Sequence, residues 1–283
     1  MRIPVKAPEQ YIRTRVRAAG GLVLAVASTI AAGHGPLFSP APETIWQGGT
    51  EITLGYHRDE AGTEREQDAY LEIEYGLTPR WEIGAEMPYV WKREDGLGSD
   101  GVGDLTLGTK YEFWGRDLPG AQYKAGGLFR IKLPTAESNT APRLGSGSTD
   151  FIGGLATGYE SRRWYWFASA LYRLNTNGDD GFRKGDRQSL NLVGGIRPVL
   201  SEYREPDTVL MLELNWERDD RDALNGRSLA DTGGWTLFAS PVLWWTYRQV
   251  AARGGVQIPL AEGLDGNQPD PDYRATLELV YHY

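Results

Sequence analysis

Few residues in this chain have types and spacing that could do covalent or metal chemistry. There are three histidines, His34, His57 and His282, and no cysteine. That removes thiol nucleophiles, thiolate metal sites and disulfides. His57 stands two and three residues before Asp59 and Glu60, which reads either as a His–acid group for hydrolysis or as a solvated rim histidine. Processing after Ala31 would leave Ala32–Gly33–His34 as a free N-terminus. A third-position imidazole with backbone nitrogens suits square-planar Cu(II), so His34 is the candidate metal ligand; the alternative is an inert tail. The acidic runs Asp219, Asp220, Asp222 and Asp265, Asp270, Asp272 offer oxygens for Ca²⁺ between lipopolysaccharides, or are plain solvated loops. The glycine-rich GLGSDGVG at 96–103 lacks the Lys-Ser/Thr of a phosphate loop. No catalytic residue is assigned, no enzyme is expected and no cofactor is called for.

The remaining charged residues fall into a pattern instead of a site. Lys110, Lys124, Arg130, Lys132, Arg173, Arg197, Arg253 and Arg274 share one parity with Glu51, Glu72, Glu74, Glu82, Glu86, Asp104, Glu112, Glu213, Glu217 and Glu278. Acids dominate the first three predicted strands and the ninth, and bases dominate the fifth to eighth and the eleventh. Such residues suit a polar interior in which opposite charges pair, or face each other across a narrow passage whose charge sets solute preference. Arg130 and Lys132 directly precede the long PTAESNTAPRLGSGSTD stretch. If that stretch folds inward, these two bases line a constriction opposite Glu74 and Glu86.

The elements that must hold these charges show in the other parity. Leu71, Ile73 and Tyr75, Trp81, Ile83, Ala85, Met87 and Tyr89, Leu210, Leu212, Leu214 and Trp216, and Leu277, Leu279, Tyr281 and Tyr283 each alternate with polar residues. That is a strand period of two. Twelve such segments follow one another, beginning near residue 50 and ending on Tyr283. Their apolar parity carries no Asp, Glu, Lys, Arg, Ser or His, although 24% of the chain is charged. A lipid bilayer enforces that emptiness, because a charge facing lipid at the midplane costs ~2–4 kcal/mol.

Links between segments alternate between short, such as 78–80, 160–163 and 246–249, and long, such as 58–68, 92–101, 134–149, 175–187, 218–233 and 261–272. Tryptophans sit beside both kinds: Trp81, Trp164, Trp166 and Trp245 at the short ones, Trp91, Trp216 and Trp235 at the long ones. Outer-membrane barrels have such an asymmetry, an even strand count and two aromatic girdles. Net charge is −8, which argues against nucleic acid as a partner. The basic residues Lys6, Arg13, Arg15 and Arg17 precede the apolar run 18–32 and small residues to Gly33. This predicts a signal peptide over 1–33, a periplasmic N-terminal segment over 34–48 and an antiparallel up-and-down transmembrane β-barrel over 49–283.

GVGDLTLGTKYEFW (101–114), RIKLPT (130–135), GSGSTDFIGGLATGYE (145–160) and YGLTPRWEIGAEMPY (75–89) together resemble the family named for a MetA-pathway of phenol degradation. The resemblance implies an outer-membrane transporter that accompanies aromatic catabolism, with no catalytic residues to carry over. The combined expectation is a porin-like channel in a Gram-negative outer membrane, passing small, aromatic or hydrophobic molecules passively. A non-conducting barrel with a salt-bridged lumen, or a surface hydrolase, are the alternatives. Expected partners are lipid and lipopolysaccharide, the barrel-assembly machinery acting on the strand that ends in Tyr283, and the solute.

Overall fold

The computed structural model describes residues 35–178, 180–200 and 205–283. The expected signal peptide, its cleavage site and His34 lie outside them. The barrel strands are β1 (Thr50–Ala61), β2 (Glu64–Thr78), β3 (Trp81–Glu94), β4 (Leu97–Val102 continued by Thr106–Leu118), β5 (Ala121–Lys132) and β6 (Asp150–Ser161). They continue with β7 (Trp164–Leu174), β8 (Arg187–Ile196), β9 (Asp207–Asp219), β10 (Gly234–Tyr247), β11 (Val250–Leu264) and β12 (Tyr273–His282). Both segments of β4 pair along β3, so the thirteen segments of the main sheet form twelve strands. Each strand pairs antiparallel with its sequence neighbour, and β1 pairs with β12 to close the sheet. Closure gives every strand of the ring a neighbour on both sides, as a membrane requires; the Leu97–Val102 segment pairs with β3 alone. The seam reaches the last residue: Thr50 N donates to Tyr283 O at 2.9 Å and Tyr283 N donates to Thr50 O at 2.8 Å.

The molecule is apolar outside and charged inside. Leu54, Leu71, Ile73, Leu107, Leu155, Leu192, Leu212, Leu243 and Leu277 are exposed, whereas the largest fully buried side chains include Arg253, Lys110, Glu51, Glu74, Glu82, Glu213 and Glu278. In water this arrangement would waste apolar burial and desolvate charge. In a bilayer it is the stable one. The barrel therefore spans a membrane, with the strand architecture of an outer-membrane protein.

Two links expected to be long are hairpin turns. The 58–68 stretch turns at Gly62 and Thr63, and the 92–101 stretch at Asp95–Gly96. Asp95 and Gly96 have φ of 49° and 80°, the left-handed pair that matches the twist of a two-residue hairpin. GLGSDGVG is thus partly strand. The strands rise past the bilayer here, so their outward face acquires charge: Arg58 and Arg65 both pair with Glu60. A second departure lies in β4, where a bulge between Glu112 and Trp114 leaves Phe113 and Trp114 both exposed. The link around 114–122, intermediate in length by its sequence, is a tight turn between Leu118 and Ala121.

Candidate functional site: the barrel lumen

Nine of the ten predicted lumen residues stand at inward positions of strands, and Arg197 follows the last residue of β8. Most of them pair with a neighbour on the same wall. Lys110 on β4 contacts Glu82 on β3 at 2.9 Å. Lys124 on β5 contacts Glu112 on β4 at 3.2 Å. Arg253 on β11 binds Glu278 on β12, which also accepts the Tyr70 hydroxyl. Arg197 sits at the turn end, held by Asp207 at 2.9 Å and stacked 5.5 Å from the Tyr165 ring. Lys132 reaches Asp150 at 2.7 Å, Asp104 at 3.0 Å and the hydroxyl of Ser146. Arg173 joins the same group, 3.6 Å from Asp150 and 3.0 Å from Asn175 Oδ1. Leu144, Ser146 and Ser148 are buried, so the 133–149 connection does fold inward over Lys132.

Arg130 differs. It is buried in the wall, yet among the described residues no ion pair is formed by it. On Glu74 neither carboxylate oxygen has a hydrogen-bond partner among the described residues. Glu74 lies opposite Glu51, and Glu72 opposite Glu86, across adjacent strands. β1–β3 therefore present a wall of acids to the lumen. Among the described residues, Arg130 and Glu74 do not form a closed pair. His57 belongs to this wall too. It is buried, not a rim residue, with Nδ1 2.8 Å from Thr276 Oγ1.

An ion-pair chain crosses the outer end of the lumen. Arg187 on β8 holds Asp219 at 2.7 Å and Glu217 at 3.3 Å, both on β9. Glu217 and Asp59 on β1 each lie 2.9 Å from Arg274 on β12. Arg274 also stacks 4.5 Å from the Phe238 ring on β10. β9 and β12 are not sheet neighbours, so this chain spans the opening.

Sequence reasoning missed what fills the other end. Residues 35–48 carry no strand or helix and enter the barrel at its short-turn end. Leu37, Ser39, Ala41, Glu43 and Ile45 are all buried. Leu37 N donates to Glu213 Oε1 at 2.6 Å, Phe38 N to the same oxygen at 3.2 Å, and Ser39 Oγ to Oε2 at 2.8 Å. Ile45 N donates to Glu82 at 2.7 Å. Leu37 and Ala41 pack into an apolar cluster with Phe167, Met211, Val242, Trp244 and Val280, all pointing inward. The sequence signal for this cluster is apolar residues on both parities, as in YWFA (165–168) and PVLWW (241–245); such a run marks a strand buried on both faces. Val280, which breaks the alternation of the last strand, is 1% exposed in this cluster. Above the cluster runs a neutral ladder. Asn191 donates to Ser169, Asn215 to Asn191, and Ser240 and Gln257 both donate to Asn215.

Comparison with known proteins agrees with this architecture. No curated protein matches the chain. Among solved structures it is similar to the COG4313 outer membrane channel from Pseudomonas putida F1, with a TM-score of 0.68 and 17% identity over 86% of this chain and 98% of that one. It is also similar to the NanC porin, with a TM-score of 0.47 and 10% identity over 82% and 98% of the two chains. Residues 73–205 match the family described as "Putative MetA-pathway of phenol degradation". The match begins within β2 and ends between β8 and β9, and the solved structures share the closed barrel fold.

Proposed function

We propose that this barrel is a passive outer-membrane channel for small molecules, with aromatic compounds as the solute class. The observation that carries the reading is the inversion of polarity: a closed twelve-strand wall with lipid-compatible residues outside and charged or amide side chains inside. A barrel of this size lies between those filled by side chains and those that leave a channel. The COG4313 neighbour is described as an outer membrane channel, and the aromatic class follows from the family description. Lys110, Lys124, Arg130, Lys132, Arg173, Arg253, Glu74, Glu86 and Glu213 are the wall residues a solute would meet, and Arg197 lies at the exit. Lipopolysaccharide is the outer-leaflet partner. The strand ending in Tyr283 is the element that the assembly machinery engages.

A second reading is a non-conducting barrel, favoured by the buried 35–48 segment and the ion-pair chain at the other end. Planar-bilayer recording separates the two. The full chain and a chain lacking residues 35–47 are compared, each with a series of competing solutes. Conductance steps in either protein, reduced by an aromatic solute, support the channel. Silence from both leaves the filled barrel.

A further inference from the structure

The 35–48 segment is held in the lumen by chemistry that a solute could reproduce. Glu213 is fully buried at mid-height on β9. It receives three donors from the segment, the Leu37 and Phe38 amides and the Ser39 hydroxyl. Beside it, Phe38 packs on the apolar cluster containing Phe167, Met211, Val242 and Trp244. The Phe38 ring lies against Gly255, where a Cβ would come within 2.9 Å of it. Any side chain at position 255 would fill that notch. The seat thus combines a ring-sized apolar recess with a carboxylate acceptor at its edge. Apart from Gly48, whose amide donates to Gly76 O at 2.8 Å, the segment adds nothing to the sheet, so removal of residues 35–47 breaks no barrel ladder.

We propose that this seat is a solute-binding site, that it takes a small aromatic molecule bearing a hydroxyl or amino donor, and that residues 35–48 are a displaceable occupant competing for it. The inference rests on the channel reading and gives it a location and a ligand chemistry. The solute ring takes the place of the Phe38 ring and its donor takes the place of the backbone N–H groups on Glu213. Cation–π pairing of Arg253, 5.0 Å from the Trp244 ring, fixes one wall of the recess.

The test uses the full chain reconstituted in liposomes, with p-cresol as probe and toluene as a ring without a donor. Hydrogen–deuterium exchange of the Leu37 and Phe38 amides reports release of the segment in the unaltered protein. Because the chain has no cysteine, maleimide labelling of Ala41→Cys gives a second readout. Competition at a shared site raises the released fraction by about tenfold when p-cresol reaches about ten times its dissociation constant. Exchange and labelling are expected to accelerate accordingly with p-cresol and less with toluene. Glu213→Gln is expected to narrow the difference between the two probes. No acceleration by p-cresol up to its solubility limit overturns the site, and equal acceleration by both probes overturns the ligand class. Bilayer conductance of the chain lacking residues 35–47 judges the channel separately. A silent barrel whose segment p-cresol still displaces keeps the site and loses the channel, and a conducting barrel that p-cresol leaves unchanged does the reverse.

Discussion

The two halves of the lumen wall obey the same parity and do opposite things with it. On β1–β5 the inward positions include Glu51, Glu72, Glu74, Glu82, Glu86, Lys110, Arg130 and Lys132, a largely charged wall that needs water or partners to be stable. On β7–β12 the inward positions near the short-turn end are Phe167, Val209, Met211, Val242, Trp244 and Val280. There the interior is an apolar core, covered by Leu37 and Ala41 and edged by Arg253 against Trp244, that resembles the inside of a soluble protein. Facing inward in a barrel is therefore not one environment. The charged half marks where a polar path can run, and the apolar half marks where something must be packed.

Several substitutions would break or sharpen that contrast. The largest effect is expected outside both halves: Leu212→Arg puts a charge into lipid at a cost of ~2–4 kcal/mol. It should abolish assembly, whereas Thr106→Arg, on the inner wall opposite Glu86, should assemble; heat-modifiable gel mobility reads both. Equal assembly would overturn the facing of the strands.

Within the lumen, Phe167→Ala should destabilise the barrel by ~3–5 kcal/mol, as for other fully buried aromatics. Glu72→Gln should instead be neutral or stabilise by ~0.2–1 kcal/mol, because it relieves the like-charge pair with Glu86. Unfolding in urea measures both, and comparable losses would erase the distinction between the halves.

A smaller effect is expected at Arg130, the wall base without an ion pair among the described residues. Arg130→Gln should move the reversal potential under a salt gradient toward cations, since charge lining a passage sets its preference. An unchanged potential in a conducting variant would remove Arg130 from the path.

The gentlest test concerns the seal between the halves. Burial, with Glu160 on β6 alongside, pushes the Glu43 carboxyl up to about 8; Lys124 on β5 and Lys110 on β4 pull the other way without offsetting it. A released segment would titrate near the ordinary value of 4.5. Between those two values the seated form holds the extra proton, so seating weakens as pH rises and levels off above about 8. Protection of the Leu37 and Phe38 amides should therefore fall from pH 5 to pH 8.5, and Glu43→Gln should flatten the dependence. Equal pH dependence in the variant would exclude Glu43 as its source.

Much of the architecture was legible without coordinates. A pleated strand sends alternate side chains to opposite faces, so the charge-free parity of Leu71–Tyr75 or Leu210–Trp216 defined the lipid face, and the unbroken alternation to Tyr283 predicted a closing strand. The inner placement of Lys110, Arg130, Lys132, Glu74 and Glu213 followed from the same period. Tight hairpins at Gly62 and Asp95–Gly96 were hidden because the strand pattern there turns polar above the bilayer and reads as loop. Only the closed tertiary structure decided which inward residues meet. Period specifies a face but not a height or a partner across the lumen, so neither the Arg187–Glu217–Arg274–Asp59 chain nor the Glu213 seat could be derived from spacing. Residues 35–48 have no period at all. Their place follows from a cavity that exists only once twelve strands have closed around it.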